Sequence, residues 1–378
     1  MTEKELIEFR RELHKYPELS GREAKTAEKI IDKLKSTGPD KIISGLGGYG
    51  VAAVYECGKG GKTVMLRADL DALPIPEAND FEYKSTNPGV AHKCGHDGHM
   101  TILTGLGYRI GELKKKLNGR IVLLFQPAEE TAQGARAVLE DDKFTGIRPD
   151  YAFALHNIPG YPKGSIVYRN GVYSSASRGL IVRLKGDTSH AAHPENSRSP
   201  VLAMTSLIHE LIAIPQYHTA FSNAALVTVI HAKLGERAFG TTPGYAEVMA
   251  TFRSHSDKDM DKMVDTAEKY AENISIAHNL EHEIEWVEVF PSTGGTDEMN
   301  ALVIKAAENA GLEIIEKIVP LPASEDFGFF LNEFDGSFFG LGSGEDQWQL
   351  HNSAYDFPDE IIMPGIEIYE EILKILLK

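Results

Sequence analysis

Cysteine is nearly absent. Only Cys57 and Cys94 occur in 378 residues, so no disulfide framework supports the fold, and a reducing cytoplasm is the expected compartment. Long apolar runs are missing as well. No stretch of 18 or more apolar residues exists, which argues against a membrane-spanning helix. The opening MTEKELIEFR lacks the apolar core of a secretory signal. Positive charge is in short supply: 39 Lys+Arg against 55 Asp+Glu leave a formal net charge of −16. That is the wrong sign for a nucleic-acid binder or an anionic membrane surface, both of which need a basic face. Internal repeats and low-complexity tracts are also lacking. What remains is ordinary globular composition, 42% hydrophobic and 25% charged. At ~150 residues per domain the length predicts two or three domains.

The chain opens with Thr2-x-x-Glu5, a capping-box pattern, followed by Leu6, Phe9, Leu13 and Tyr16 at helical spacing until Pro17. Apolar strands are predicted over 50–55, 63–67, 120–125 and 151–155. A long helix over 100–117 and a shorter one over 134–139 lie between them. The pattern resumes late with a helix over 297–310 stopped by Gly311, strands over 314–319 and 337–341, and a helix over 364–377. Apolar strands separated by helices predict an α/β layered fold whose sheet is buried on both faces. The middle differs. Strand 180–184, helix 200–212, strands 225–233 and 246–254, helix 257–277 and strand 282–289 read as βαββαβ, a ferredoxin-like unit complete in itself. The expected organisation is one domain formed by 1–174 and 292–378, and an inserted domain over 175–291. Hinges are expected at Ser174–Ser177 and Pro291–Gly295.

Polar residues follow the predicted strands. Asp69 and Asp71 come after the second, Glu129 and Glu130 after the third, and His156 after the fourth. His351 lies beyond the late strand. In α/β sheets, sites form beyond the carboxyl ends of strands, so carboxylates and imidazoles converge on one edge. The densest contribution is His92-Lys93-Cys94-Gly95-His96-Asp97-Gly98-His99. Thiolate, imidazole and carboxylate are the ligands of zinc-like cations, and the two glycines allow neighbouring side chains to face one centre. Adjacent carboxylates such as Glu129-Glu130 repel unless a metal or a proton neutralises one of them. If one ligates a metal, its neighbour is free to act as a base.

These residues resemble the aminoacylase and hippurate hydrolase group of dinuclear metallo-amidohydrolases, which includes auxin-conjugate hydrolases and N-acetyl-diaminopimelate deacetylases. The likeness runs in order along the chain through RRELHKYPELSGREAKT, LRADLDALP, GVAHKCGHDGHM, FQPAEE, ALHN, GDTSHAAHP, SEDFG and LHNSAYDFPDE. It implies metal ligation by Cys94, His96, Glu130, His156 and His351, general-base duty for Glu129, and a supporting role for Asp71. It also implies a two-metal catalytic domain with a mixed, mostly parallel sheet, and an inserted lid domain through which the chain forms a homodimer. The implied reaction is hydrolysis of the amide of an N-acyl amino acid by two divalent cations, Zn, Mn, Co or Ni. The alternatives are a dipeptidase or aminopeptidase, or a catalytically idle relative. His190 is assigned to the oxyanion, in the same subunit or across the dimer, and Arg253 to a substrate carboxylate. Lys93, where relatives carry Ala, and Thr188-Ser189, where they carry Gly-Gly, depart from the pattern.

Simpler readings apply to several of these residues. Asp71 suits a turn, and His14 suits a helix end. His92 and His99 are expected to support ligands rather than to bind metal. His190 could be a plain surface imidazole, and Arg253 could serve an ordinary salt bridge. Cys57 is expected to be a small buried hydrophobe.

Overall fold

The computed structural model describes residues 1–378. The capping box forms as its sequence predicts. Thr2 Oγ1 accepts the Glu5 N–H at 3.3 Å, Glu5 Oε2 accepts the Thr2 N–H at 2.6 Å, and the helix Glu3–Lys15 buries Leu6, Phe9 and Leu13. Gly311, at φ 69°, ends the helix Asp297–Ala310 in the left-handed conformation that glycine adopts without strain.

The chain divides into two compact units, the first comprising Met1–Tyr173, Thr293–Pro320 and Glu325–Lys378. Its eight-stranded sheet has the order Lys41–Leu46, Gly50–Glu56, Arg120–Gln126, Thr63–Asp69, Tyr151–Pro159, Asp335–Gly344, Ile166–Tyr168, Ile314–Glu316. The four central strands, from Arg120–Gln126 to Asp335–Gly344, run parallel. The pairings of Gly50–Glu56 and of Ile166–Tyr168 against this centre are antiparallel. Both faces are buried, which explains strands that read as continuous apolar runs. Val64, Leu66, Leu123, Phe125 and Phe153 join a core with the helices Glu3–Lys15, Ala24–Lys35, His96–Leu113, Asp297–Ala310 and Ile362–Leu377. The alternate residues Met65, Val122, Leu124, Ala152 and Ala154 are equally buried on the other face.

The second unit is Ser174–Ser292 together with Leu321–Ser324. The sequence places these last four residues, and the junction residues Ser174 and Ser292, in the first domain instead. Ser175 N–H donates to Leu321 O and Ala323 O, which attaches the segment to the second unit. The unit's sheet is antiparallel, in the order Glu281–Phe290, Ala176–Lys185, Tyr245–Ser254, Ala225–Leu234. Helices Val201–His218 and Asp257–Ala277 pack on it over Leu180, Val182, Leu207, Val248, Phe252 and Met263. The first of these helices runs past Pro215 rather than ending at 212. Proline cannot donate to the carbonyl of Leu211 and crowds it, yet the helix continues to His218, and Thr219 N–H bonds Pro215 O at 3.3 Å. No helix is long and apolar enough to cross a membrane.

Candidate metal centre

Four segments of the first unit bring the expected ligands together. Gly95, at φ 92°, starts the helix His96–Leu113, so His96 and His99 stand on its first turn rather than in a loop. Gly98 is a packing glycine, not a bend: a Cβ there would meet the Phe357 ring at 2.3 Å. His156 lies within the strand Tyr151–Pro159, which is longer than its sequence suggests. Glu129 and Glu130 occupy the turn after Arg120–Gln126, and His351, at φ 64°, lies in the loop after Asp335–Gly344.

The imidazoles are oriented by their far nitrogens. His96 Nδ1–H donates to Asp71 O at 2.8 Å, and His156 Nδ1–H donates to Asn157 O at 2.9 Å. Each Nε2 is thereby the nitrogen turned away from the backbone, the one that would give up its proton to a metal. His156 Nε2 lies 3.4 Å from Cys94 Sγ. His96 Nε2 has no hydrogen-bond partner, although Asp69 Oδ2 is 3.6 Å away and Glu130 Oε1, also unpartnered, is 3.7 Å away. His351 Nε2 lies 3.7 Å from Glu130 Oε2. Ligand atoms of Cys94, His96 and His156 fall within 4.8 Å of one another, as do those of Cys94, Glu130 and His351, and of His96, Glu129 and Glu130. One sulfur, several imidazoles and carboxylates around buried, unpartnered donor atoms fit divalent cations.

The electrostatics are those of acids crowded out of water. Burial pushes Glu130 up to about 7 against the pull of His96. Burial, then Glu325, Glu130 and Asp326, raise Glu129 well above the usual carboxylate range. Burial, then Glu130 and Glu129, raise the Cys94 thiol. Burial alone would lower His96, but Asp69, Asp71 and Glu130 outweigh it and hold the ring up to about 10. A cation among these groups would relieve the carboxylate repulsion and favour the thiolate.

Residues 65–375 match the model of peptidase family M20/M25/M40. This chain belongs to that family. The N-acetyl-L-cysteine deacetylase of Bacillus subtilis is 33% identical over 99% of this chain and 89% of its own length. The hippurate hydrolase of Campylobacter jejuni is 31% identical over 97% of this chain and 95% of its own. A crystal structure of a dinuclear metal binding peptidase of the M20 family from Bacillus subtilis superposes with a TM-score of 0.83. It is 26% identical and covers 99% of this chain and 98% of that one. The chain is accordingly a hydrolase of amide bonds.

Within this M20/M25/M40 peptidase, Asp71 acts on His96 through its backbone carbonyl. Its carboxylate Oδ2 accepts Ser20 Oγ–H at 2.6 Å and the Glu130 N–H at 3.0 Å. His99 Nδ1–H donates to Asp69 Oδ1 at 2.7 Å, and its Nε2 lies 2.5 Å from Asn157 Oδ1. His92 is buried with neither nitrogen bonded. Lys93 is buried and donates to Glu77 and to Tyr355 O, while its own carbonyl accepts the His351 N–H at 2.8 Å. His190 and Arg253 belong to the second unit. His190 is exposed, and its Nδ1 accepts the Ala192 N–H at 3.1 Å. Arg253 Nη1 donates to Pro322 O at 2.6 Å and to Ser324 Oγ at 3.2 Å, so its bonds go to neutral oxygens rather than to an acidic side chain.

Sequence reasoning missed the buried Arg67, whose guanidinium joins Asp69, Asp326 and Gln126 at 2.8–2.9 Å and Glu325 at 3.0 Å. An arginine inside the apolar run VMLRAD was the available signal, because a charge in such a strand must find partners.

Proposed function

We propose that this peptidase hydrolyses the amide of N-acyl amino acids to a carboxylate and a free amino acid, at a centre holding two divalent cations. Cys94, His96, Glu130, His156 and His351 would hold the cations, which when bound polarise the amide carbonyl and make water a nucleophile near neutral pH. Glu129 takes the proton of the attacking water and hands it to the leaving amine. Its buried position, close to Glu130 and His96 yet outside the imidazole orientation bonds, leaves its carboxylate available for that work. The observation that carries the reading is the convergence of His96 Nε2 and Glu130 Oε1, buried and unpartnered, with Cys94 and His351. The names of the deacetylase and hippurate hydrolase relatives support an N-acyl substrate.

Glu129→Gln should keep its metal and nearly its KM while losing at least about 10²-fold in kcat, since positioned bases contribute about 10²–10⁴-fold. Glu130→Gln should lose metal and rate together. Metal analysis and steady-state kinetics on chelated protein reloaded with Zn, Mn, Co or Ni check both, using N-acetyl and N-benzoyl amino acids beside dipeptides. Dipeptides cleaved faster than every N-acyl amino acid would replace this reading with a dipeptidase.

We further infer a homodimer through the second unit. Ala225–Leu234 is an edge strand, with Leu226 and Ile230 exposed at 48% and 59%. Unpaired apolar edges of this kind are ordinarily covered.

A further inference from the structure

The glutamate pair stands on a turn whose backbone is unfavourable for the residues that occupy it. Ala128 has φ 51° and Ala132 φ 57°, in the left-handed region that a Cβ disfavours. Ala128 O accepts the N–H groups of Gln133 and Gly134 at 3.2 and 3.0 Å. Gly134 admits no side chain there, because a Cβ would lie 1.6 Å from Pro127 O. That closes one side of the turn. On the other side the Ala128 N–H donates to Glu23 Oε1 at 2.8 Å, a contact between residues 105 apart in sequence.

Glu23 is fully buried and directly precedes the helix Ala24–Lys35, yet its side chain makes no cap bond to that helix. Its other bond is local, from the Gly21 N–H at 2.9 Å, and Oε2 has no partner. No cation pairs with it, so a buried carboxyl here is a poor stabiliser on its own account. Two residues on, the Glu130 N–H is held separately by Asp71 Oδ2. The amides on both sides of Glu129 are thus fixed by two different acids, and Glu23 serves the side of the left-handed Ala128.

We propose that Glu23 is a positioning residue for Glu129: by holding the Ala128 N–H it keeps the turn in its left-handed form and so fixes where the Glu129 carboxylate points. The proposal rests on Glu129 being the base. Because Asp71 secures Glu130 independently, loss of Glu23 should impair proton transfer more than metal binding.

The test compares Glu23→Ala, Glu23→Asp and Glu23→Gln by hydrogen exchange of the metal-free protein, and by metal content, KM and kcat of the loaded enzyme. Asp falls one methylene short of Ala128, whereas Gln keeps an accepting oxygen in place. The Ala and Asp variants should exchange the Ala128 amide at least about tenfold faster and lose about 10- to 100-fold in kcat, the scale of small misplacements. Metal content and KM should stay within about twofold, the margin that separates a kcat effect from a binding effect. Gln should resemble wild type in exchange and kcat. Adding Ala128→Gly to Glu23→Ala should restore part of kcat, since glycine takes this φ unaided. The Asp variant decides the matter if the Ala variant does not fold. Unchanged exchange, or kcat falling only in step with metal content, overturns the proposal. Glu129→Gln measured beside them reports separately on the base: if it stays active the reading of Glu129 fails, while the exchange data still decide whether Glu23 holds the turn.

Discussion

His14 lies between two buried carboxylates, with Nδ1 2.9 Å from Asp97 Oδ2 and Nε2 2.8 Å from Glu77 Oε2. Arg10 donates to the same Asp97 oxygen at 3.2 Å and to Asp356 at 2.7 Å, and the His92 ring packs nearby. Burial alone would lower His14, but its bonds and charge contacts with Asp97 and its bond to Glu77 outweigh burial and the opposing Arg10, holding the ring up to about 9. Because the folded pKa lies above the ordinary 6.5, this contribution to stability is fully present below about 6.5 and is lost as pH rises through about 9. The gap corresponds to roughly 3 kcal/mol. Urea unfolding of wild type and His14→Gln between pH 6 and 10 should show a stability difference that shrinks between about pH 6.5 and 9 and levels off above that; a constant difference would refute the ionised ring. The sequence placed His14 at a helix end as a structural residue, but nothing in it announced the partners. Asp97 and Glu77 are 83 and 63 residues away, and such pairings follow from topology. That Cys94, His96, Glu130, His156 and His351 come together was legible for the opposite reason, since the chemistry of a candidate metal site restricts the residue types and strand ends restrict their places. Glu23 was illegible because its partner is a backbone N–H, which carries no residue signature.

At the scale of elements, the boundaries that carry local signals were read well, and those that depend on packing were not. Thr2, Glu5 and Gly311 mark their helix ends directly. The helix His96–Leu113 starts four residues earlier than hydrophobic periodicity suggested, because its first turn holds His96, Asp97 and His99, polar residues that are buried only in the folded molecule. Gly98 sharpens the point. Exchanging a glycine for alanine inside a helix ordinarily gains about 0.5–1 kcal/mol. Here the added Cβ would stand 2.3 Å from the Phe357 ring, so Gly98→Ala should instead lose about 1–3 kcal/mol, as overpacked cores do. A lower urea midpoint with an unchanged slope checks this, and adding Phe357→Leu should recover part of the loss.

For the whole molecule, the central parallel sheet and the βαββαβ unit were legible because periodicity and order are written in sequence. The assignment of Leu321–Ser324 to the second unit was not, because it rests on the backbone bonds of Ser175. The edge strand Ala225–Leu234 leads to a test of assembly. Leu226→Lys with Ile230→Lys should convert a dimer to a monomer of 41.6 kDa in sedimentation, while each chain stays folded, because both side chains are already solvent-facing in the single chain.

Strand Asp335–Gly344 lies in the sheet between Tyr151–Pro159 and Ile166–Tyr168, two strands encoded before the second unit. During synthesis, therefore, the middle of the first unit's sheet stays open while all of Ser174–Ser292 emerges, and that unit, with its own core, can fold first. The open gap exposes backbone and apolar side chains on the ribosome for the time needed to translate more than a hundred further residues. His351 is encoded only a few residues beyond the strand that fills the gap. The helix Ile362–Leu377, which completes the first unit's core, is made last of all, so that unit is finished from its C-terminal end.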